Sequence, residues 1–304
     1  MGEAHATGRP VGLAHRPDWV PWVLLGTGIA AASTSAILIR YATSADPLAI
    51  SFWRCAVGAA VLFPFARVHL VRLDRTSFRL PAIAGAFLAV HFASWITSLG
   101  LTTVASSVLL VSASPIFVAL AARLLFRERL AGLGWVGLVL ALAGTALIGG
   151  TGFGGSSLQG NGLALLGGAT AGGYALAGQL ARRRLGILEY AVITYSTAAA
   201  ILLVACLVSG EALFGYDAQT WWAIAGLIVG PQLLGHTVIN LVLSDLDATT
   251  VTVAIMGEPI IAITLAFFLF TEVPSWTVYP GGAAILAGIY LVSSARRTAP
   301  LQVE

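Results

Sequence analysis

The chain has 304 residues, 58% of them hydrophobic and only 10% charged, with a mean hydropathy of +0.90. Sixteen Arg, no Lys and thirteen acids leave a net charge of +3, where a soluble domain carries about 25% charged residues. This balance excludes an ordinary water-soluble enzyme, a disordered chain and a nucleic-acid binder, and indicates an integral membrane protein. Cys55 and Cys206 both lie in apolar runs, which argues against a disulfide framework or a metal site.

About 20 mostly apolar residues cross the hydrocarbon core as a helix. Ten stretches qualify in chain order: 20–39, 47–66, 80–100, 103–123, 132–149, 160–181, 189–208, 219–241, 248–270 and 275–294. Short breaks separate them, among them Ala45-Asp46-Pro47, Arg72-Leu73-Asp74-Arg75, Arg127-Glu128-Arg129, Arg182-Arg183-Arg184 and Glu272-Val273-Pro274. Thr102-Thr103 is the weakest, but fusing its neighbours would make one helix far longer than a bilayer needs. The first stretch lacks a small-residue cleavage site and reads as an uncleaved span. With the N-terminus in the cytoplasm, fourteen of the sixteen Arg fall on the cytoplasmic side; only Arg40 is outside, and Arg54 lies within a span. The positive-inside rule therefore predicts both termini in the cytoplasm.

The chain also repeats itself. At an offset of 144, residues 105–148 align without a gap on 249–292, matching Pro115 to Pro259, Phe126 to Phe270, Glu128 to Glu272, Gly137 to Gly281 and Gly144 to Gly288. Ala82-Ile83-Ala84-Gly85 recurs as Ala223-Ile224-Ala225-Gly226. Each half then holds five spans, and an odd number forces the halves into opposite orientations, an arrangement common in secondary transporters. The expected organisation is a tail (1–19), a first repeat (20–150), a Gly-rich external linker (151–159), a second repeat (160–294) and a short tail (295–304).

The residues Leu99-Gly100, Ser106-Ser107, Ser114-Pro115, Phe126-x-Glu128 and the Gly-rich fifth span, with Glu258-Pro259 to Glu272 in the second copy, resemble the EamA repeat of the drug/metabolite transporter superfamily. The resemblance covers about residues 20–294. It implies an all-α membrane fold of ten helices in two inverted repeats. Arg54 matches an arginine the family often carries on its second helix. The segment His91 to Gly100 is similar to that of bacterial amino-acid and metabolite exporters, those for aromatic amino acids above all. The implied location is the plasma (inner) membrane.

Polar residues inside spans are the candidate pathway. His91, Trp95 and Ser98 share one face of the third span; Gln232, His236 and Asn240 share one face of the eighth. The repeat maps His91 on Gln232 and Trp95 on His236, so the two stripes are expected to face each other across a central cavity lined by the third, fourth, eighth and ninth spans. Trp53 and Tyr174 lie deep enough to join it. Arg54 and Glu258 are the charges clearly inside spans; either they pair, or they hold the two ends of a zwitterion, or Glu258 carries a proton. Pro115 and Pro259 are expected to kink their helices. The remaining Trp residues sit at span ends, as interfacial anchors do.

Motifs of a membrane enzyme are missing: Asp245-x-Asp247 is the only near acid pair, and there is no His-Glu-x-x-His and no nucleotide-binding loop. One intramembrane Arg and no Lys argue against phosphorylated substrates. The expectation is a secondary transporter, not an enzyme, without cofactor or metal, that exports small amphipathic metabolites, above all aromatic or other neutral amino acids. A multidrug or other-metabolite exporter, and an intramembrane enzyme, are the alternatives. Proton coupling through Glu258, net direction and oligomeric state stay open.

Overall fold

The computed structural model describes residues 17–102, 107, 110–126, 130–149, 157–258, 260, 261, 264, 265, 268 and 276–295. Among these residues all regular structure is helical. The first passage is α1 (Val20–Ala32) and α2 (Ser35–Tyr41), followed by α3 (Pro47–Leu70), α4 (Arg79–Leu101), α5 (Ser114–Phe126) and α6 (Gly132–Gly149). The second half has α7 (Leu158–Arg182), α8 (Ile187–Ser209), then α9 (Ala218–Leu227), a π-helix (Ile228–His236) and α10 (Thr237–Val242) as one passage. It finishes with α11 (Ala248–Ile255) and α12 (Val278–Ser294). These make ten helical passages among the described residues. Five of them are long and apolar enough to cross a membrane, by length and composition: Val20–Ile39, Pro47–Leu70, Arg79–Leu101, Ile187–Ser209 and Ala218–Val242.

Four passages are interrupted where sequence periodicity alone expects continuity. Ser33 Oγ donates to Ile29 O at 2.8 Å and Thr34 Oγ1 to Ala31 O at 2.8 Å; such back-bonding competes with the helical ladder, and the helix turns between α1 and α2. In the eighth passage Pro231 cannot donate to the i−4 carbonyl and its ring crowds it; the chain widens into nine π-helical residues around it. The third interruption is Ser112-Ala113, just before Pro115, and a matching turn stands at Met256-Gly257, one residue before Glu258. These two turns lie at the same offset of 144 that aligns the sequence halves. Pro259 itself lies outside the described residues.

Side-chain exposure is inverted relative to a water-soluble protein. Phe65 is 67% exposed, Leu124 71%, Val208 82% and Tyr290 69%, whereas Arg54, Gln232, Ser98 and Thr194 are fully buried. Such a surface is suited to lipid. The span-end Trp19, Trp22, Trp222 and Trp276 are exposed. In lipid, helices associate through close packing and not through burial from water, and here small residues provide it. A Cβ on Gly288 of α12 would stand 2.5 Å from Gly137 O of α6, so these two helices can touch only through glycine. The core proper sits between α3, α4, α7 and α8 around Leu88, Phe92, Tyr190 and Tyr195.

Candidate functional site

Arg54 is the centre of the buried polar residues. It lies two turns into α3, fully buried, and its Nε, Nη1 and Nη2 all lack a hydrogen-bond partner among the described residues. Its guanidinium carbon rests 4.3 Å from the centroid of the Phe92 ring, a favourable but partial compensation. Glu258 is within electrostatic reach of it, yet the two form no ion pair among the described residues; the one such contact is His69 to Glu189, 3.3 Å, at the other end of α3. A lone charge at membrane depth costs about 2.5–3.5 kcal/mol even on insertion scales. An arginine buried at that cost without an acceptor marks a place where a counter-group belongs.

Against the next turn of α3 stands Gln232, fully buried, with neither its amide nitrogen nor its amide oxygen bonded among the described residues. Its Cγ lies 3.1 Å from where a Cβ on Gly58 would be, one turn along α3 from Arg54. The missing side chain at Gly58 lets the π-helix approach this face of α3. Tyr195 of α8 borders the same glycine, and its hydroxyl meets Thr237 Oγ1 at 3.0 Å. Thr237 in turn donates to Gln232 O at 3.2 Å, which closes the wide π turn.

Rings form the rest of the enclosure. Phe92 and His236 meet edge to face at 5.2 Å, and His236 and Tyr174 approach to 6.1 Å. Asn240 Nδ2 donates to the Tyr174 hydroxyl and to His236 O, while Asn240 Oδ1 and the Tyr190 hydroxyl, both buried, accept or donate no hydrogen bond of good geometry among the described residues. Guanidinium, amide and phenol groups surrounded by rings suit a small solute with one polar end and a flat apolar body.

The sequence stripes meet this cluster unequally. Gln232, His236 and Asn240 enter it directly. On α4 the ring at the centre is Phe92, not the polar stripe: His91 Nδ1 contacts Gly167 O of α7 at 2.9 Å, and the His91 ring stacks on Trp95 at 5.9 Å. Trp95 packs by Gly167, with its Nε1 buried and unpartnered. On α4 it is thus the ring of Phe92 that lies against the guanidinium. Ser98 belongs to the packing: its hydroxyl shares a 2.7 Å hydrogen bond with Ser107 and another of 2.7 Å with Trp95 O. Trp53 stands apart, donating to Leu213 O at 2.9 Å amid Phe52, Phe214 and Trp221. Besides Phe92 on the third span and the polar residues of the eighth, α3, α7 and α8 supply Arg54, Tyr174, Tyr190 and Tyr195. The two phenols on α8 and Phe92 went unremarked in sequence. Their signal was present, since a Tyr within an apolar span needs a partner for its hydroxyl.

One end of the cluster is tied across the two halves, and the other is tied within the second half. At one end Ser44 Oγ bonds Thr220 Oγ1 at 2.9 Å, and Ala49 N donates to Glu211 Oε2 at 3.3 Å. At the other, the buried Arg182 donates to Asn240 O at 3.2 Å and to Leu185 O, and Ala248 N donates to Gln179 Oε1 at 3.1 Å. Asp245 and Asp247 flank this end as local caps: Asp247 Oδ1 accepts from Thr250 N at 2.7 Å, and Asp245 Oδ2 from Ser244 Oγ at 2.8 Å. Among the described residues no three His, Cys, Asp or Glu side chains gather to hold a metal.

The chain matches the EamA-like transporter family over residues 19–150 and again over 158–294. It is 25% identical over 247 residues to an uncharacterised transporter, YdfC, of Bacillus subtilis (strain 168), 80% of each chain being aligned. A solved crystal structure superposes with a TM-score of 0.76 at 19% identity, covering 90% of this chain and 96% of that one, which shows a shared fold. A helical chain with lipid-suited surfaces, matched twice along its length, belongs to the EamA-like transporter family and is a multi-pass membrane transporter, not an enzyme.

Proposed function

We propose that this transporter moves small amphipathic metabolites, aromatic or other neutral amino acids above all, outward across the plasma membrane by alternating access between two inverted five-helix repeats. The observation that carries the reading is the buried cluster itself. Arg54 and Phe92 come from the first half and Tyr174, Tyr195, Gln232 and His236 from the second, so a solute held there touches both halves. A rocking motion of one half against the other would open the cluster to either side in turn. The ties of Ser44 to Thr220 and of Ala49 to Glu211 are contacts between the halves that such a motion must break to open that end. Ring count favours a flat apolar side chain over a bulky aliphatic one, and the resemblance of His91 to Gly100 to aromatic amino-acid exporters agrees. Transport by exchange fits better than strict proton coupling, because a proton relay needs more than the single carboxylate of Glu258. N- and C-termini in the cytoplasm follow from the Arg distribution.

Reconstitution tests this. Purified protein in proteoliposomes, given a panel of labelled amino acids with and without a pH gradient, should exchange phenylalanine, tyrosine or tryptophan. Uptake of none of the panel above protein-free vesicles would overturn the substrate class.

A further inference from the structure

We infer that Arg54 and Gln232 together form the receptor for a carboxylate group of the transported solute, so that the carboxylate is required and the rest of the molecule is read only by rings. This rests on the transporter reading above and narrows it. Three observations converge. All three guanidinium nitrogens of Arg54 are buried and unpartnered among the described residues, as are both amide atoms of Gln232. The two side chains lie against neighbouring turns of one face of α3, at Arg54 and Gly58. The guanidinium plane already has an aromatic ring at 4.3 Å, leaving its edge, which carries the N–H donors, for an acceptor.

A guanidinium fork matches two carboxylate oxygens, and an amide N–H from Gln232 can reach an oxygen the fork does not saturate. Phosphate would suit the fork as well, but it brings up to two negative charges, whereas Arg54 is the one guanidinium at the cluster's centre among the described residues and the Glu258 carboxyl already lies within its electrostatic reach. A group with a single negative charge is therefore favoured over phosphate. The flat walls of Phe92, Tyr174, Tyr195 and His236 take the body. A free aromatic acid and an aromatic amino acid share this chemistry; the amino group, when present, has Asn240 Oδ1, buried and unpartnered, as an acceptor in the same cluster.

The same geometry makes a second statement about the empty protein. An uncompensated buried cation is a burden on the fold, so its removal should raise stability, where removal of one member of a structural ion pair would lower it.

The test uses the full chain in detergent, read by thermal shift and tryptophan fluorescence, with L-phenylalanine, 3-phenylpropionate, phenylalaninamide, phenylalanine methyl ester and sodium chloride as probes. Wild type should bind the two acids roughly tenfold or more tightly than the amide and ester, as expected of a charge-assisted bidentate contact. Arg54→Gln should erase that acid-to-amide ratio and melt above wild type when empty. Equal binding of acid and amide by wild type, chloride binding without acid binding, or an unchanged ratio in Arg54→Gln would each overturn the receptor. Should Arg54→Gln fail to fold, that loss itself contradicts the unpaired-cation argument, and the wild-type ratio still decides the ligand. Binding of phenylalanine with 3-phenylpropionate excluded would overturn the claim that the carboxylate is the polar group read; acid preference in both supports it. Uptake in proteoliposomes separates the two readings: transport without acid preference sinks the receptor and leaves the transporter, while acid-selective binding without exchange sinks the proposed transport and leaves the receptor.

Discussion

Trp95 and Ser98 stand less than one turn apart on α4 and have different tasks. Trp95 holds a buried, unpartnered indole N–H and stacks on His91, whereas the Ser98 hydroxyl is spent on Ser107 and its own backbone. Substitution should separate them. Trp95→Ala and His91→Ala should each lower transport severalfold at near-normal expression, measured as initial exchange rate per unit of reconstituted protein. Ser98→Ala should cost about 1 kcal/mol of stability, the usual worth of one buried hydrogen bond, with transport retained; it would appear as a lower melting temperature. If Ser98→Ala instead abolishes exchange in a stable protein, Ser98 belongs to the pathway after all. At this scale the sequence is legible where polarity marks a residue: Arg54, Gln232, His236, Asn240 and Tyr174 are conspicuous in apolar runs and do gather. Phe92 is not conspicuous, because its contribution is the face of a ring turned to a cation, and polarity sorting passes over it in favour of its neighbour His91.

Element boundaries follow from local chemistry that composition reads only in part. The number of passages was legible, since apolar length against bilayer thickness is a strong constraint. The turn at Ser33-Thr34 and the π-helix were not, because both depend on how a few side chains compete with the backbone ladder; Pro231 was the available signal for the second. Asp247 shows the same dependence on the folded chain. In sequence it is half of an acid pair; in the structure it is the N-cap of α11, accepting from Thr250 N and Thr250 Oγ1 at 2.7 Å each. Asp247→Ala should destabilise the protein by about 1 kcal/mol, and Asp247→Asn by less, as read from thermal unfolding in detergent. Asp217 caps α9 in the same way. The bond from Thr220 N holds its carboxyl below the usual carboxylate range. The folded pKa being depressed, the cap's contribution is complete above the unfolded value of about 3.9 and is lost as pH falls through the lower folded value. Protection of the Thr220 and Trp221 amides, as the ratio of intrinsic to observed exchange rate, should therefore fall only below about pH 4 in wild type, and be low at all pH values in Asp217→Ala; protection that persists unchanged in that variant would show the cap to be idle.

At the scale of the whole molecule, two halves matched to one family meet around the buried Arg54, which has no hydrogen-bond partner among the described residues. The offset of 144 foretold the twin turns before Pro115 and at Met256-Gly257, because each copy carries the same helix-breaking residues. It did not foretell that Arg54 and Glu258 would lie close without pairing, since each occurs in one half only and has no counterpart to guide the reading. If Glu258 were a proton carrier, Glu258→Gln would abolish pH-driven accumulation. Exchange predicts instead that Glu258→Gln retains counterflow with no pH gradient, within about threefold of wild type, a difference of less than 1 kcal/mol in barrier height.

The most direct measurement is counterflow in proteoliposomes at equal internal and external pH. Vesicles carrying wild-type protein and preloaded with unlabelled phenylalanine are predicted to take up labelled phenylalanine faster than unloaded vesicles do, and to overshoot equilibrium before the label declines. Uptake that is indifferent to preloading and appears only when a pH gradient is imposed would contradict the account.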